Sequence, residues 1–156
     1  MKTPIKPRTL RSDAASLLDR CTGVRTRSAA RRVTQFLDEA LSGCGLSFAQ
    51  VSLMAHLAAA DDDRLGALAR RLGVDQSTLS RNLRVLERAG LVEIASVEAD
   101  LRRRAVWLTE EGARRLEAAL PAWRTAQETL ERFVAPDLVR ALCAGSEALG
   151  RSRAEG

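Results

Sequence analysis

Tyrosine is absent from this 156-residue chain, and aromatic residues make up only 3% of it. A core built on stacked rings is therefore excluded, and leucine, alanine and valine must fill the interior. Cysteine occurs at Cys21, Cys44 and Cys143, odd in number and widely spaced, which argues against a disulfide framework. With a single histidine, His56, and no Cys-x-x-Cys pair, the chain offers no metal-ligand cluster, so neither a metal nor a cofactor is expected. It has no paired-carboxylate site, no nucleophile beside an evident base and no phosphate-cradling glycine loop, so the expectation is that it is not an enzyme. No apolar run is long enough to span a bilayer. The basic start, MKTPIKPRTLR, is not followed by an apolar segment of signal-peptide type. The expected location is the cytoplasm, without membrane contact. Lysine occurs only at Lys2 and Lys6, so nearly all positive charge is arginine.

That charge is in excess. The formal net charge is +5 and the calculated pI about 10.0, which suits a polyanionic partner, although mild basicity is common in small proteins. Arginine offers a planar fork that matches guanine edges and phosphates. A genome-wide base-composition bias would give the same preference for arginine.

The densest information lies between Leu65 and Val92, LGALARRLGVDQSTLSRNLRVLERAGLV. Leu65, Leu68, Ala69 and Leu72 recur at helical spacing, and Gly73 ends that helix in the left-handed conformation only glycine enters freely. Val74 is expected to plug the corner. Asp75 is placed to cap the next helix, whose inward stripe is Leu79, Leu83 and Leu86. Gln76, Ser77, Thr78, Ser80, Arg81 and Arg84 are left facing outward near its N-terminal end. Helix, glycine turn, helix is a helix-turn-helix pattern, in which the second helix presents such residues to the major groove. A solvated helical hairpin is the plain alternative.

After Gly90, Leu91 to Val97 alternate as a strand, Glu98 to Arg103 read as a charged turn, and Ala105 to Leu108 return as a second strand. The hairpin tip carries Asp100, Arg102, Arg103 and Arg104. Arginines on a wing beside a recognition helix suit the negative potential of a narrow minor groove, whereas an isolated run would be a solvated loop. The fold class expected is mainly α: a winged helix-turn-helix with a two-stranded wing and terminal helices forming a dimerisation region.

These segments together resemble the MarR family of transcriptional regulators. The resemblance is carried by LSFAQVSLMAHLA (Leu46 to Ala58), the helix-turn-helix, the wing tip and LTEEG (Leu108 to Gly112), and runs from about Leu17 to Leu149. The family pattern of Asp-x-Arg followed at fixed distance by Leu-Thr and glycine is met by Asp100, Arg102, Leu108, Thr109 and Gly112. It implies that Asp100 braces Arg102 and that Arg102 enters the minor groove. The commoner form has an acidic residue among the arginines. This tip is purely basic after Asp100, implying stronger but less selective contact.

Around this lobe the chain divides into a flexible arm (1–9), an N-terminal helical region (10–45), the DNA-binding lobe (46–109) and a C-terminal helical region (110–156). The first helical region is expected from about Ser12 to Leu41, with Gly23 as its breaking point. Ser47 and Gln50 form a capping box opening a helix whose Phe48, Val51, Met54, Ala55 and Ala58 point inward. Asp61-Asp62-Asp63 closes that helix as an acidic turn. Thr109 caps a long helix whose first turn holds Glu110 and Glu111. Leu116, Leu120, Trp123, Leu130 and Phe133 stripe its inner face, and Pro121 kinks it rather than ending it. Leu138, Leu142 and Leu149 stripe a last helix.

A single unit has limited means to cover both terminal stripes. A two-fold homodimer would bury them and set two recognition helices on half-sites about one helical turn apart. By spacing alone such stripes are equally intramolecular core; the resemblance implies interlaced terminal helices. It also implies a small aromatic or phenolic effector, or an oxidant. His56 and Trp123 are candidate pocket walls, each with the plainer role of a packed structural residue. Cys21 is the candidate redox residue, flanked by Arg20 and Arg25, which would favour its thiolate. Yet the reactive cysteine of the family's peroxide sensors aligns with Gly23, and those sensors hold it with tyrosines this chain lacks, so a buried inert thiol competes with that role. The function expected is a sequence-specific, homodimeric regulator of double-stranded DNA, in the sense of a repressor, released by an effector. Alternatives are a thiol-based redox sensor and a winged-helix protein-interaction module without its own operator.

Overall fold

A computed structural model describes residues 8–60, 64–97 and 100–152, the side chains of residues 8, 96–97, 100–104 and 150–152 excepted. In order these residues form α1 (Arg8–Arg20), α2 (Thr22–Leu41), a 3₁₀ turn (Ser42–Cys44), α3 (Phe48–Ala58), α4 (Leu65–Leu72), α5 (Gln76–Arg88), β1 (Val92–Val97), β2 (Asp100–Leu108), α6 (Glu110–Glu131) and α7 (Pro136–Ser152). The fold is mainly helical with a two-stranded antiparallel wing. No single described helix is long and apolar enough to cross a membrane. The chain divides into two compact units, one ending at Phe36 and the other starting at Leu37.

In the first unit the helical region starts at Arg8 rather than Ser12, and it breaks at Cys21 rather than Gly23. The Cys21 N–H donates to the Leu17 carbonyl at 2.8 Å and closes α1, and the Cys21 carbonyl accepts from the Arg25 N–H at 3.1 Å and opens α2, so this one residue ends one helix and starts the next. Glycine lowers helix stability by about 1 kcal/mol relative to alanine without forbidding helical geometry, so Gly23 sits inside α2.

The second unit holds the core. The Ser47 hydroxyl accepts from the Gln50 N–H at 3.2 Å while Gln50 Oε1 accepts from the Ser47 N–H at 2.8 Å, the expected capping box. The Phe48 N–H donates to Asp38 Oδ1 at 2.6 Å, tying the end of α2 to the start of α3. On α3 the buried residues are Val51, Leu53, Met54 and Leu57, whereas Ala55 and Ala58 are exposed, against expectation. The helix is apolar on nearly every side, so spacing did not select a face. The side chains with more area to hide took the interior.

The wing differs in extent from its sequence reading. The second strand starts at Asp100, not Ala105, with Ala95 opposite Ala105, Ser96 opposite Arg104 and Val97 opposite Asp100. The register shifts between Ser96 and Val97. Charged residues read as a turn, but a β-ladder is made of backbone hydrogen bonds and tolerates arginine wherever the side chain reaches water. Val92 and Val106 are buried on the inner face, and Ala105 is buried where Arg64 bridges it from before α4.

The wing is pinned to α6 by a small joint. The Thr109 hydroxyl donates to the Gly90 carbonyl at 2.6 Å and accepts from the Gly112 N–H at 3.0 Å, and the Thr109 N–H donates to the Leu91 carbonyl at 3.1 Å. A Cβ at Gly112 would stand 1.9 Å from the Leu91 carbonyl oxygen, so close backbone approach requires glycine there. Helix α6 then continues through Pro121. Leu116, Ala119 and Ala126 are buried and Trp123 packs on the core, but Phe133 lies past the helix end and is 82% exposed, contrary to its expected inward place.

Candidate nucleic-acid interface

Gly73 ends α4 at φ 64°, and the Val74 N–H reaches back to the Ala69 carbonyl at 3.2 Å, turning the chain sharply. Val74 does not plug the corner; it is 38% exposed. Asp75 then caps α5, its Oδ1 accepting from the Thr78 N–H at 2.8 Å. Leu79, Leu83 and Leu86 are 1%, 0% and 0% exposed, which locks the rotation of α5 about its axis. Because that stripe faces in, Gln76, Ser77, Arg81 and Arg84 are exposed, and Thr78 and Ser80 are half-buried at the rim. Among the described residues neither Arg81 nor Arg84 is ion-paired, so both guanidinium charges face solvent.

The first turn of α5 is an ordered polar cluster. The Ser77 hydroxyl donates to Asp75 Oδ1 at 2.5 Å and the Thr78 hydroxyl to Asp75 Oδ2 at 2.7 Å. Arg81 Nη2 donates to the Thr78 hydroxyl oxygen at 3.3 Å. The Ser77 hydroxyl, then the Thr78 hydroxyl and the Thr78 N–H, hold the Asp75 carboxyl well below the usual carboxylate range. Sequence reading found Asp75 only as a cap. The signal for the rest was available: hydroxyl residues two and three places after a capping aspartate both reach its carboxylate.

A cavity of about 280 Å³ lies between α4, α5 and β1, lined by Leu65, Ser80, Leu83, Arg84, Glu87, Ile94 and Ala95. His56 and Trp123 are not part of it. The half-buried His56 ring donates from Nδ1 to the Ser52 carbonyl, 2.7 Å away on the preceding turn. Cys21 is half-buried in the other unit, and Arg25 stands 3.7 Å from Asp19. The backbone puts Asp100, Arg102, Arg103 and Arg104 on β2; their side chains, like Asp61-Asp62-Asp63, lie outside the described residues. Among the described residues no group of histidine, cysteine and carboxylate side chains could hold a metal ion.

Comparison with known proteins gives this geometry a context. A MarR family model matches residues 45–103, from the loop before α3 into the wing. The M. tuberculosis transcriptional regulator MosR, solved in complex with DNA, is 35% identical, with 85% of this chain and 98% of that one covered at a TM-score of 0.78. A second MosR structure matches at 33% identity, 86% and 98% coverage and a TM-score of 0.74. The transcriptional repressor CouR, bound to a 23-mer DNA duplex, shares the fold at 23% identity, 86% and 95% coverage and a TM-score of 0.73. No curated protein sequence matches significantly. The family and these neighbours are transcriptional regulators, not enzymes. With a regulator more than 30% identical over nearly its whole length and a winged lobe of the same build, the chain belongs to the MarR family of winged helix-turn-helix transcriptional regulators.

Proposed function

We propose that this protein is a cytoplasmic, homodimeric repressor that binds a pseudo-palindromic operator in double-stranded DNA and leaves it when a small aromatic or phenolic effector binds. The observation that carries the DNA-binding reading is the division of α5. Its leucines are 0–1% exposed, while Ser77, Arg81 and Arg84 stand in solvent without an ion pair among the described residues. A helix fixed that firmly presents a constant pattern of donors and acceptors to base edges in the major groove. Arg102 is the residue proposed for the minor groove, with Arg103 and Arg104 following it on β2. The DNA complexes of MosR and CouR support the same use of the lobe.

The dimer reading rests on exposed apolar side chains. On α1 these are Leu10, Leu17 and Leu18, and on α7 Leu138, Val139, Leu142 and Leu149, each 45–70% exposed. A second copy covers both sets and supplies the second recognition helix. His56 and Trp123 are the proposed effector walls. Trp123 reports occupancy directly, since Trp107 on the wing is the only other tryptophan.

The test is selection of duplexes from a random-sequence library by the full chain, followed by anisotropy titration against bulk nonspecific DNA. An enriched inverted repeat that survives competition is expected. A protein-interaction module would enrich nothing, and that outcome sinks the proposal.

A further inference from the structure

Asp75 is an anion set where a regulator meets polyanionic DNA. An ionised carboxylate carried into a desolvated interface beside phosphates is costly unless its lone pairs are occupied. Here they are occupied. Oδ1 accepts from the Ser77 hydroxyl at 2.5 Å and the Thr78 N–H at 2.8 Å, and Oδ2 accepts from the Thr78 hydroxyl at 2.7 Å. A hydroxyl has one proton and two lone pairs. Once the proton of Ser77 is given to Asp75, only lone pairs face outward from that exposed side chain. Thr78 gives its proton to the same carboxylate and so must turn a lone pair to its other neighbour, which is Arg81 Nη2 at 3.3 Å.

We propose that Asp75 sets the polarity of the recognition face: Ser77 meets DNA only as a hydrogen-bond acceptor and selects an exocyclic amino group of adenine or cytosine, while Thr78 is a positioning residue that aims the Arg81 guanidinium. This rests on the DNA-binding reading above. Without the carboxylate, the Ser77 hydroxyl is free to rotate and donate to guanine N7 or O6, to adenine N7 or to a phosphate. With it, those acceptors meet a lone pair and are rejected. Arg81, held by Thr78 before DNA arrives, reaches a base acceptor with less side-chain freedom left to lose.

The experiment uses the full chain and the duplex it selects from a random library. Each adenine in turn is replaced by purine, which lacks the amino group, each cytosine by 2-pyrimidinone, and each purine by its 7-deaza analogue, which lacks N7. Ser77→Ala is expected to weaken binding about 2- to 12-fold, the worth of one neutral hydrogen bond. That loss should vanish on one amino-deleted duplex and persist on every 7-deaza duplex. A loss that vanishes on a 7-deaza duplex overturns the acceptor assignment, and so does an equal loss on all analogues, which would mark a contact to guanine O6, thymine O4 or a phosphate. Thr78→Val is expected to add nothing to Arg81→Ala, and Thr78→Ser to restore wild-type affinity. Additive losses, or no rescue by serine, overturn the positioning role. Ser77 and Arg81 are exposed, and the thermal midpoint of each variant separates misfolding from misaiming. A wild-type chain that selects no duplex would overturn the function itself, an outcome distinct from these.

Discussion

Helices α5 and α7 carry the same sequence signal and have opposite fates. Leu79, Leu83 and Leu86 on α5 recur at steps of three and four and are 0–1% exposed. Leu138, Leu142 and Leu149 on α7 follow the same periodicity and are 50–70% exposed. Periodicity therefore names the apolar face of a helix and says nothing of what covers it. Burial inside one chain stabilises that chain at any concentration. A face left open stabilises only an association, and its contribution depends on how much protein is present.

The largest expected effect separates these cases. Leu83→Ala removes a fully buried side chain and should cost about 2.7–5 kcal/mol of unfolding free energy, read from the urea midpoint and independent of concentration. Leu142→Ala should leave the core intact and instead shift the proposed dimer toward monomer in sedimentation, more strongly still as Leu142→Arg. If Leu142→Ala cost as much as Leu83→Ala at every protein concentration, α7 would have an internal cover and the dimer reading would lose its support.

Next comes the joint between lobe and α6. Gly112→Ala forces a methyl against the Leu91 carbonyl and should destabilise by about 1–3 kcal/mol, the range for overpacking, or more because the neighbour is backbone. On α7, a methyl added at Gly145 would meet nothing within 4 Å, so Gly145→Ala should stabilise slightly through helix propensity. Thermal midpoints moving in opposite directions check the pair.

Much of this was legible because it is encoded within a few residues. The Gly73 turn, the Asp75 and Thr109 caps, the Ser47–Gln50 box and the leucine stripe of α5 each depend on neighbours within about one helical turn. What escaped depends on partners far along the chain. The start of β2 at Asp100 is set by pairing with β1, not by the polarity of its own residues. The burial of Leu53 and Leu57 in place of Ala55 and Ala58 is set by the core around α3. The break fell at Cys21, whose N–H closes α1 and whose carbonyl opens α2, and passed over the glycine two residues away, which sits inside α2. In the candidate site, the outward set on α5 followed directly from its inward stripe. The orientation of the hydroxyls was missed, although Ser77 and Thr78, two and three places after a capping aspartate, carried the signal for it.

Within the recognition face, Arg81→Ala or Arg84→Ala should cost about 1–3 kcal/mol of affinity and relax selectivity at one base pair. Arg102→Ala on the wing should weaken all sequences alike and lower the slope of log affinity against log salt by about one. Titrations of the selected duplex at several salt concentrations check both. Equal losses on every duplex for Arg84→Ala would move that residue from base reading to phosphate contact.

The smallest effect concerns the cap of α5. The folded-state pKa of Asp75 lies below its ordinary value of 3.8, so the unfolded chain takes up its proton first as pH falls. The contribution of this carboxylate to stability is therefore fully present above about 3.8 and is lost progressively below it. Asp75→Asn keeps a competent cap but cannot titrate. The stability difference between wild type and Asp75→Asn should be flat from neutral pH down to that point and then shift against the wild type. A difference that stays flat well below that point would mean the hydroxyls do not hold the carboxylate. The polarity assigned to Ser77 and Thr78 would then lose its anchor, whatever the DNA measurements gave.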